Sequence, residues 1–350
     1  MNQSSAVRLT RFSHGGGCGC KIAPGVLRDL LAGSDVVRMM PEALLVGTET
    51  SDDAAVYQLT DELALVATTD FFTPIVDDAR DFGRIAATNA ISDVYAMGAR
   101  PIMALAIVGM PLDKLPLDTI RDILAGGEEI CARAGIPVAG GHSIDVLEPI
   151  YGLVALGIVD PRKLKRNSDA RAGDVLVLGK PLGVGILSAA LKKDVLSAHG
   201  LRTMMDWTTR LNTPGIRLAD IPGVHAMTDV TGFGLAGHLL EICRGSALRA
   251  QVAFDDLPLI GEAVAHARDG IATGASARNW AAYGEQVMLA PGIELWQRNV
   301  ATDPQTSGGL LVACAAADVD GVLEVFRAEG FGEAAVIGAL HEGEPGVELR

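Results

Sequence analysis

Two thiols and an amine stand on a glycine-rich tether close to the N-terminus, and they are the residues of this chain best suited to covalent chemistry. The tether reads HGGGCGCK over residues 14–21, with thiols at Cys18 and Cys20 and an amine at Lys21. Glycine loses more conformational entropy on ordering than any other residue, so this run predicts a mobile closing loop rather than a core element. A nearby cation lowers the pKa of a thiol, so Lys21 favours a reactive thiolate.

Two other interpretations of this tether stay open from the residues alone. One is a frayed N-terminal tail, and the other is a zinc site that uses His14, Cys18 and Cys20. A zinc site needs a fourth ligand and usually a wider cysteine spacing than one intervening residue. The reactive loop is therefore the favoured hypothesis.

Aspartates recur where apolar segments end, at Asp52, Asp53, Asp70, Asp93 and Asp229. A single aspartate in such a place is more often a helix cap or a turn residue. Asn89 and Asp93 lie four residues apart in a predicted helix, so both side chains face the same way. Magnesium takes carboxylate oxygens together with nucleotide phosphates. Several aspartates that converge on one cleft would fit a triphosphate held through more than one magnesium ion.

Two glycine-rich stretches also point to phosphate chemistry. Residues 139–143 (AGGHS) follow a short predicted strand, where backbone N–H groups can cradle phosphate. Residues 303–309 (DPQTSGG) precede a strand and fit either such a loop or a structural turn. The motif G-x-x-x-x-G-K-[ST] does not occur in the sequence, which excludes a P-loop enzyme.

The stretch GFGLAG at residues 232–237 supports a different function, a nicotinamide-dependent oxidoreductase. It matches G-x-G-x-x-G, opens a predicted helix and is followed by Asp255 at the end of a strand, where a ribose-binding acid is expected. Against it, the preceding strand is expected to be interrupted at Thr228 and Asp229, and the Cys/Lys tether would be unused. A metal-binding or interaction module without catalysis is a third class, and it needs no reactive thiol.

Composition and charge exclude several function classes. The chain has 350 residues, enough for about two domains with substantial cores. A net charge of -14 and an aromatic content of 4% argue against nucleic-acid and anionic-membrane binding. The apolar runs are too short to span a bilayer, and the N-terminal residues lack the apolar core of a secretory signal. Five scattered cysteines fit a reducing compartment, so we expect a cytoplasmic protein.

Hydrophobic periodicity predicts alternating strands and helices in two halves. The first half contains a predicted hairpin (54–59 and 63–69), helices over 81–97 and 117–134, and strands over 102–108, 136–139 and 150–159. The polar, basic stretch 161–173 predicts a boundary between domains. The second half contains predicted strands over 174–178, 251–254 and 308–313, and helices over 184–191, 201–211, 235–243 and 318–328.

Taken together, these motifs resemble those of the selenophosphate synthetase (selenide, water dikinase) family. They are SHGGGCGCK, TSDDAAV, TTDFF, DFGRIAATNAISDVYAMG, AGGHSID, AMTDVTGFGLAGHL and DPQTSGGLL. The resemblance runs from about Arg8 to the C-terminus, with the motifs in the family's order. It implies synthesis of selenophosphate, a selenium donor for selenocysteine and selenouridine, from selenide, ATP and water. AMP and phosphate are the implied further products, and Mg²⁺ is the implied cofactor.

The resemblance also implies an architecture. This is an α+β, two-domain aminoimidazole ribonucleotide synthetase-like fold with a mobile Gly-rich N-terminal segment. A mobile catalytic segment is expected over 1–48, an ATP-binding and dimerisation domain over 49–160, a linker over 161–173 and a second α+β domain over 174–350. The N-terminal domains are expected to pair into a homodimer through a β-barrel-like interface. A selenium-delivery protein is a further candidate partner.

Motif position carries the family's functional residues onto this chain. Cys18 is the implied catalytic residue, and Lys21 is the implied essential lysine. The implied magnesium ligands are Asp53, Asp93 and Asp229. The implied nucleotide contacts are Lys21, Thr50, Ser51, Asp52, Asp70, Asp93, Gly141, His142 and Ser143. Ser51 stands where a basic residue occurs in relatives, which leaves only that side chain's phosphate contact open.

Overall fold

Two β-sheets, one from each half of the chain, form the frame of the protein. The structure is a computed structural model that describes residues 7–13, 15–22, 26, 30, 41–47 and 52–350. The first sheet contains β1 (Leu44–Val46), β2 (Ala55–Thr60), β3 (Leu63–Phe72), β4 (Arg100–Met110), β5 (Val138–Asp145) and β6 (Ile150–Val159). Its strand order is β1-β2-β3-β6-β4-β5, and all neighbours are antiparallel except β4 and β5. The predicted hairpin is therefore confirmed as β2 and β3.

Helices α1 (Ala79–Ala96) and α2 (Leu117–Arg133) belong to the first half and pack against each other. The α1 helix begins at Asp78, whose carboxylate accepts a hydrogen bond from the backbone N–H of Asp81 at 2.8 Å. Most of α1 is buried, including the polar residues Thr88, Asn89 and Ser92. Buried polar groups need hydrogen-bond partners, so α1 must meet polar groups from other elements.

The second sheet has seven strands in the order β10-β13-β9-β12-β7-β11-β8. They are β7 (Val175–Leu178), β8 (Val224–Asp229), β9 (Leu248–Val252), β10 (Val287–Leu289), β11 (Leu310–Cys314), β12 (Ala335–Glu342) and β13 (Gly346–Leu349). The helices of this half are α3 (Val184–Lys192), α4 (Ala198–Thr208), α5 (Pro214–Leu218), α6 (Gly234–Ser246), α7 (Gly261–Arg268), α8 (Gly274–Tyr283), α9 (Leu295–Ala301) and α10 (Val319–Ala328). Within the described part of the chain, every helix is too short or too polar to cross a lipid bilayer.

Most elements predicted from periodicity are present, with shifted ends. The strand expected over 136–139 is β5, which continues through the glycine pair to Asp145. The expectation of a loop at 139–143 is therefore wrong, while a nucleotide contact there stays a prediction. The strand expected over 251–254 lies at 248–252, because the chain turns at Phe254. The periodicity did not identify the strands β1, β10, β12 and β13 or the helices α5, α7, α8 and α9.

The segment between the two sheets is hydrogen-bonded to both halves. The backbone N–H of Asn167 donates to Asp52 Oδ1 in the first half at 2.6 Å. The hydroxyl of Ser246, at the end of α6, accepts from the backbone N–H of Ala170 at 3.1 Å and donates to the carbonyl of Asn167 at 2.8 Å. These bonds hold the two sheets in one orientation, while the boundaries drawn at 161–173 stay a prediction.

Ser246→Ala tests this junction. The change leaves the Ala170 N–H and the Asn167 carbonyl without their side-chain partner, so it should lower the free energy of unfolding by about 1–3 kcal/mol. Urea unfolding followed by circular dichroism measures the loss. Ser168→Ala, on the same segment, is the control and should change stability by less than about 0.5 kcal/mol. Equal effects in the two variants would show that the Ser246 hydroxyl does not hold the junction.

Candidate functional site

Three carboxylates from different elements meet between the two sheets. Asp53 stands just before β2, Asp93 lies on α1, and Asp229 ends β8. One carboxylate oxygen from each lies within 4.8 Å of the others. Thr68 donates to Asp93 Oδ2 at 2.5 Å, and Thr228 donates to Asp53 Oδ1 at 2.8 Å. Among the described residues, Asp53 Oδ2 and Asp229 Oδ2 are buried and have no hydrogen-bond partner.

The electrostatics of this cluster favour a cation. Burial raises the pKa of Asp53 and of Asp93 well above the usual carboxyl range, and repulsion from Asp229 adds to it in both cases. Burial also raises the pKa of Asp229, although a hydrogen bond from Ser92 opposes this. Two unpartnered buried oxygens in an all-oxygen set are the ligands that a hard divalent cation prefers. The residues present therefore fit magnesium.

The thiol of Cys18 lies inside the protein, on a short 3-10 turn over Gly17–Cys20. Its side chain is 1% exposed, and Sγ donates to Asn89 Oδ1 at 3.1 Å. Burial raises the pKa of Cys18 well above its usual range, and Asp70 adds to this, while Lys21 lowers it. Lys21 thus favours the thiolate as expected, but in this arrangement burial and Asp70 oppose it more strongly.

The zinc interpretation of the tether gains no support. His14 lies outside the described residues. Within the described residues, the only group of three metal-ligating side chains is the carboxylate cluster at Asp53, Asp93 and Asp229.

Lys21 and Asn89 both bind the carboxylate of Asp70. Lys21 Nζ lies 3.3 Å from Asp70 Oδ2, and Asn89 Nδ2 donates to the same oxygen at 2.5 Å. Burial opposes the charge of Lys21, but the surrounding negative groups, Asp70 first among them, outweigh burial and raise the lysine pKa well above its usual value. Lys21 therefore remains a cation beside the carboxylate cluster.

Residues 303–307 support both Asn89 and Cys18 and are themselves buried. The backbone N–H of Ser307 donates to Asn89 Oδ1 at 2.7 Å, and the backbone N–H of Cys18 donates to the Thr306 hydroxyl at 3.1 Å. At the other end, Asp303 and Gln305 accept hydrogen bonds from the first backbone N–H groups of α3. Burial raises the pKa of Asp303 to about 7. Of the two interpretations of DPQTSGG, the structural turn is correct.

Lys180 is a buried residue of this site that the sequence did not single out. Its Nζ donates to the carbonyls of Ser307 at 2.7 Å and Arg210 at 2.6 Å. Burial lowers the pKa of Lys180 to about 7. A single lysine after an apolar strand carries no motif, so the only signal was a charge next to the run VLVLG.

The loop at 232–237 serves the Cys18 turn and does not form a dinucleotide site. The β8 strand runs unbroken through Thr228 and Asp229, so the expected interruption is wrong. However, a dinucleotide-binding fold needs the strand before the glycine loop and the next strand to be parallel neighbours. Here β8 is an edge strand that pairs antiparallel with β11, and three strands separate it from β9. A Cβ atom on Gly232 would lie 3.0 Å from the Cys18 carbonyl oxygen, so glycine permits this close approach. The oxidoreductase hypothesis is therefore wrong.

Gly141, His142 and Ser143 lie apart from the carboxylate cluster. They are exposed on β5, where Gly141 lies in the same cross-strand row as Asp70 but three strands away, about 15 Å at the usual strand spacing. A Cβ atom on Gly141 would lie 2.1 Å from the carbonyl oxygen of Ala106, so only glycine fits there.

The remaining predicted nucleotide contacts divide into two groups. Asp52 accepts the hydrogen bond from the inter-sheet segment described above. Thr50 and Ser51 lie outside the described residues.

The chain matches the two domain descriptions of the AIR synthase related protein family, the N-terminal domain over residues 51–159 and the C-terminal domain over 171–349. It is 63% identical over 346 residues to the selenide, water dikinase of Paraburkholderia xenovorans, which covers 99% of this chain and 98% of the relative. It is 62% identical over 343 residues to the enzyme of the same name from Dechloromonas aromatica, covering 98% of each chain.

Solved structures share the fold at low sequence identity. Thiamine-monophosphate kinase from Stenotrophomonas maltophilia aligns with a TM-score of 0.65 at 22% identity, covering 94% of this chain and 96% of that one. The hydrogenase maturation protein HypE in complex with ATP aligns with a TM-score of 0.60 at 19% identity, covering 86% and 85%. Together with the family matches, they confirm the aminoimidazole ribonucleotide synthetase-like α+β fold.

Asp93→Asn should stabilise the metal-free protein, because it removes one of three crowded carboxylates. The folded chain holds protons on these acids where the unfolded chain has lost them, so their contribution to stability falls as pH rises above about 4. The Tm advantage of the variant over wild type should therefore grow between about pH 5 and pH 8.

Thermal unfolding with EDTA, and then with Mg²⁺, measures both parts of this prediction. Added Mg²⁺ should raise the Tm of wild type and have little effect on Asp93→Asn. Asp61→Asn, in the exposed turn between β2 and β3, is the matched control. A lower Tm for Asp93→Asn than for wild type across the whole pH range would rule out repulsion within the cluster.

Proposed function

The chain belongs to the selenide, water dikinase family, and on that premise we propose that Cys18 and Lys21 act on selenide while Asp53, Asp93 and Asp229 hold ATP through magnesium. The chain is a phosphotransferase that makes selenophosphate from selenide, ATP and water, with AMP and phosphate as the other products. One observation carries the residue assignment. Asn89 links the Cys18 thiol to the Asp70 carboxylate, which also binds Lys21.

The three aspartates are suited to a nucleotide with its metal. Bound magnesium supplies positive charge that neutralises and orients the phosphate oxygens. Asp53, Asp93 and Asp229 offer carboxylate oxygens from three different elements, so the bound cation would hold the two halves of the chain together. Lys21 adds a fixed cation on the same side, since it interacts with Asp93 and Asp229 as well as with Asp70.

Cys18 acts in a dry environment. Its side chain is buried by the turn that carries it, which keeps water away from the transfer. Selenide is itself an anion near neutral pH, so attack on a phosphate needs no thiolate from the protein. The protonated thiol, held by Asn89, then serves to position the selenium rather than to displace the phosphate.

A homodimer through the first sheet is the second part of the proposal. The β5 strand ends that sheet, so its outer edge has backbone groups available for another strand. Apolar side chains stand exposed along and beside it, with Ile144 52%, Leu112 56% and Leu147 81% exposed. An exposed apolar edge of this kind favours association with a second copy.

The free thiols support the proposal of a cytoplasmic protein. All five cysteines are free. Free thiols persist in a reducing compartment, which supports the cytoplasm. A selenium-delivery protein stays a prediction from the family resemblance.

Substitution of the two thiols and the amine tests the assignment. Cys18→Ser should lower selenide-dependent AMP formation by at least about 100-fold, because the hydroxyl lacks the affinity of sulfur for selenium. Lys21→Ala should show a similar loss, because it removes a cation beside the phosphates. Cys20→Ser, two residues from the proposed catalytic thiol, is the control and should keep most of the activity.

Anaerobic assays of AMP formation, with ATP affinity measured separately, test this assignment. ATP binding should survive in Cys18→Ser and Cys20→Ser. An active Cys18→Ser beside an inactive Cys20→Ser would mean that the wrong thiol was assigned. Wild-type protein that forms no AMP in response to selenide would overturn the function itself.

Ile144→Lys tests the dimer. A charge on the exposed β5 edge should weaken pairing with a second copy, so the protein should elute with the mass of a monomer. Light scattering coupled to size-exclusion chromatography measures this. Leu295→Lys, at an exposed apolar position on α9, is the control and should stay dimeric. A dimeric Ile144→Lys protein would place the interface elsewhere.

A further inference from the structure

A positively charged cleft lies on the outer side of the Gly17–Cys20 turn. Its volume is about 760 Å³, and it lies between the turn and the helices α3 and α8 of the second half. Four cations line it, namely Lys21, Lys192, Lys193 and Arg278. None of the described residues that line it is an aspartate or a glutamate. Because the chain as a whole carries a net charge of -14, this concentration of positive charge is local.

A much smaller cavity lies between this cleft and the Cys18 thiol. Its volume is about 10 Å³, room for a single water-sized group. Cys18 and Gly232 line it on the inner side. Five residues line both this cavity and the large cleft, and they form the wall where the two adjoin: Gly19, Lys21, Ile22, Ala275 and Arg278.

Arg278 contacts the turn at this wall. Its guanidinium donates to the carbonyl oxygen of Gly19 at 2.9 Å, and the side chain borders both cavities. Lys192 Nζ lies 3.4 Å from the carbonyl oxygen of Gly15, so a second cation contacts the same segment. An anion beside Arg278 would compete with the Gly19 carbonyl for the guanidinium.

The carboxylate cluster lies on a different side of the turn. None of Asp53, Asp70, Asp93 and Asp229 is among the described residues that line the cleft or the small cavity. The nucleotide side of the site is therefore rich in carboxylates, and the cleft side is rich in cations. An anion without a metal is repelled on the first side and attracted on the second.

We propose that the cleft is the entrance for the anionic substrate, hydrogen selenide, and that the small cavity marks the point where the anion reaches Cys18. This inference rests on the proposed function, because it takes Cys18 as the residue that receives selenium. A cationic cleft with protein walls raises the local concentration of an anion. The amino end of α8, which borders both cavities at Ala275, adds partial positive charge. Lys192, Lys193 and Arg278 thus determine access for selenide and not for ATP.

Charge removal in the cleft tests the entrance. Arg278→Gln and the double variant Lys192→Gln/Lys193→Gln should raise KM for selenide about tenfold and leave KM for ATP unchanged. In wild type, kcat/KM for selenide should fall as ionic strength rises, and the double variant should lose most of this dependence. Anaerobic AMP formation at saturating ATP, with hydrogen selenide varied, provides all of these values.

Matched controls remove the same charges elsewhere on the surface. Arg121→Gln on α2 and Lys114→Gln before it should behave as wild type. Ala275→Leu adds a steric test, since a larger side chain in the wall fills the small cavity. It should lower selenide-dependent turnover while ATP affinity stays close to wild type.

The outcomes separate this inference from the proposed function. If the charge variants keep the selenide KM of the controls, or if the KM values for selenide and ATP rise together, the cleft is not the selenide entrance. If those results occur while Cys18→Ser is inactive, the proposed function stands and only the entrance fails. If wild type shows no selenide-dependent AMP, the proposed function fails first.

Discussion

The site depends on one buried carboxamide, that of Asn89 on α1. Its oxygen accepts hydrogen bonds from the Cys18 thiol and the Ser307 backbone, and its nitrogen donates to Asp70. A buried amide left unpaired costs more free energy than a hydrogen bond returns, so all three partners are held in place together. The turn, the first sheet and the second sheet therefore meet at one residue.

This constraint explains the arrangement around α1. A helix buried on most of its surface would ordinarily carry apolar residues, yet it carries Asn89 and, about one turn later, Ser92 and Asp93. Each has a partner from a different part of the chain, since Asn212 donates to Ser92 and Thr68 donates to Asp93. The two halves therefore pack together through the same residues that form the site.

In the carboxylate cluster, unlike at Asn89, the polar groups are not all paired. Asp53, Asp93 and Asp229 repel one another, and two of their oxygens have no partner among the described residues. Such an arrangement opposes folding in the absence of a cation. A site that lowers the stability of the free protein in this way is typical of a binding function, where the bound group compensates the repulsion.

The sequence alone determined the elements with strong local periodicity and the chemistry of the aspartates. The β2–β3 hairpin and the helix α1 follow from side chains that alternate with period 2 or 3.6, which neighbours along the chain decide. Oxygen ligands for a hard cation follow from residue type. The family motifs identified the function because several occur in order along one chain.

Only the tertiary structure decided which of these residues meet. Asp52 and Asp53 are adjacent in sequence, yet one bonds the inter-sheet segment and the other joins the cluster. The GFGLAG stretch matches a dinucleotide motif, but the strand beside it belongs to an antiparallel edge. The thiol of Cys18 has a raised pKa despite the lysine three residues away, because burial depends on what covers it. Burial, strand pairing and hydrogen-bond partners depend on residues distant in sequence, so the local spacing of residues does not predict them.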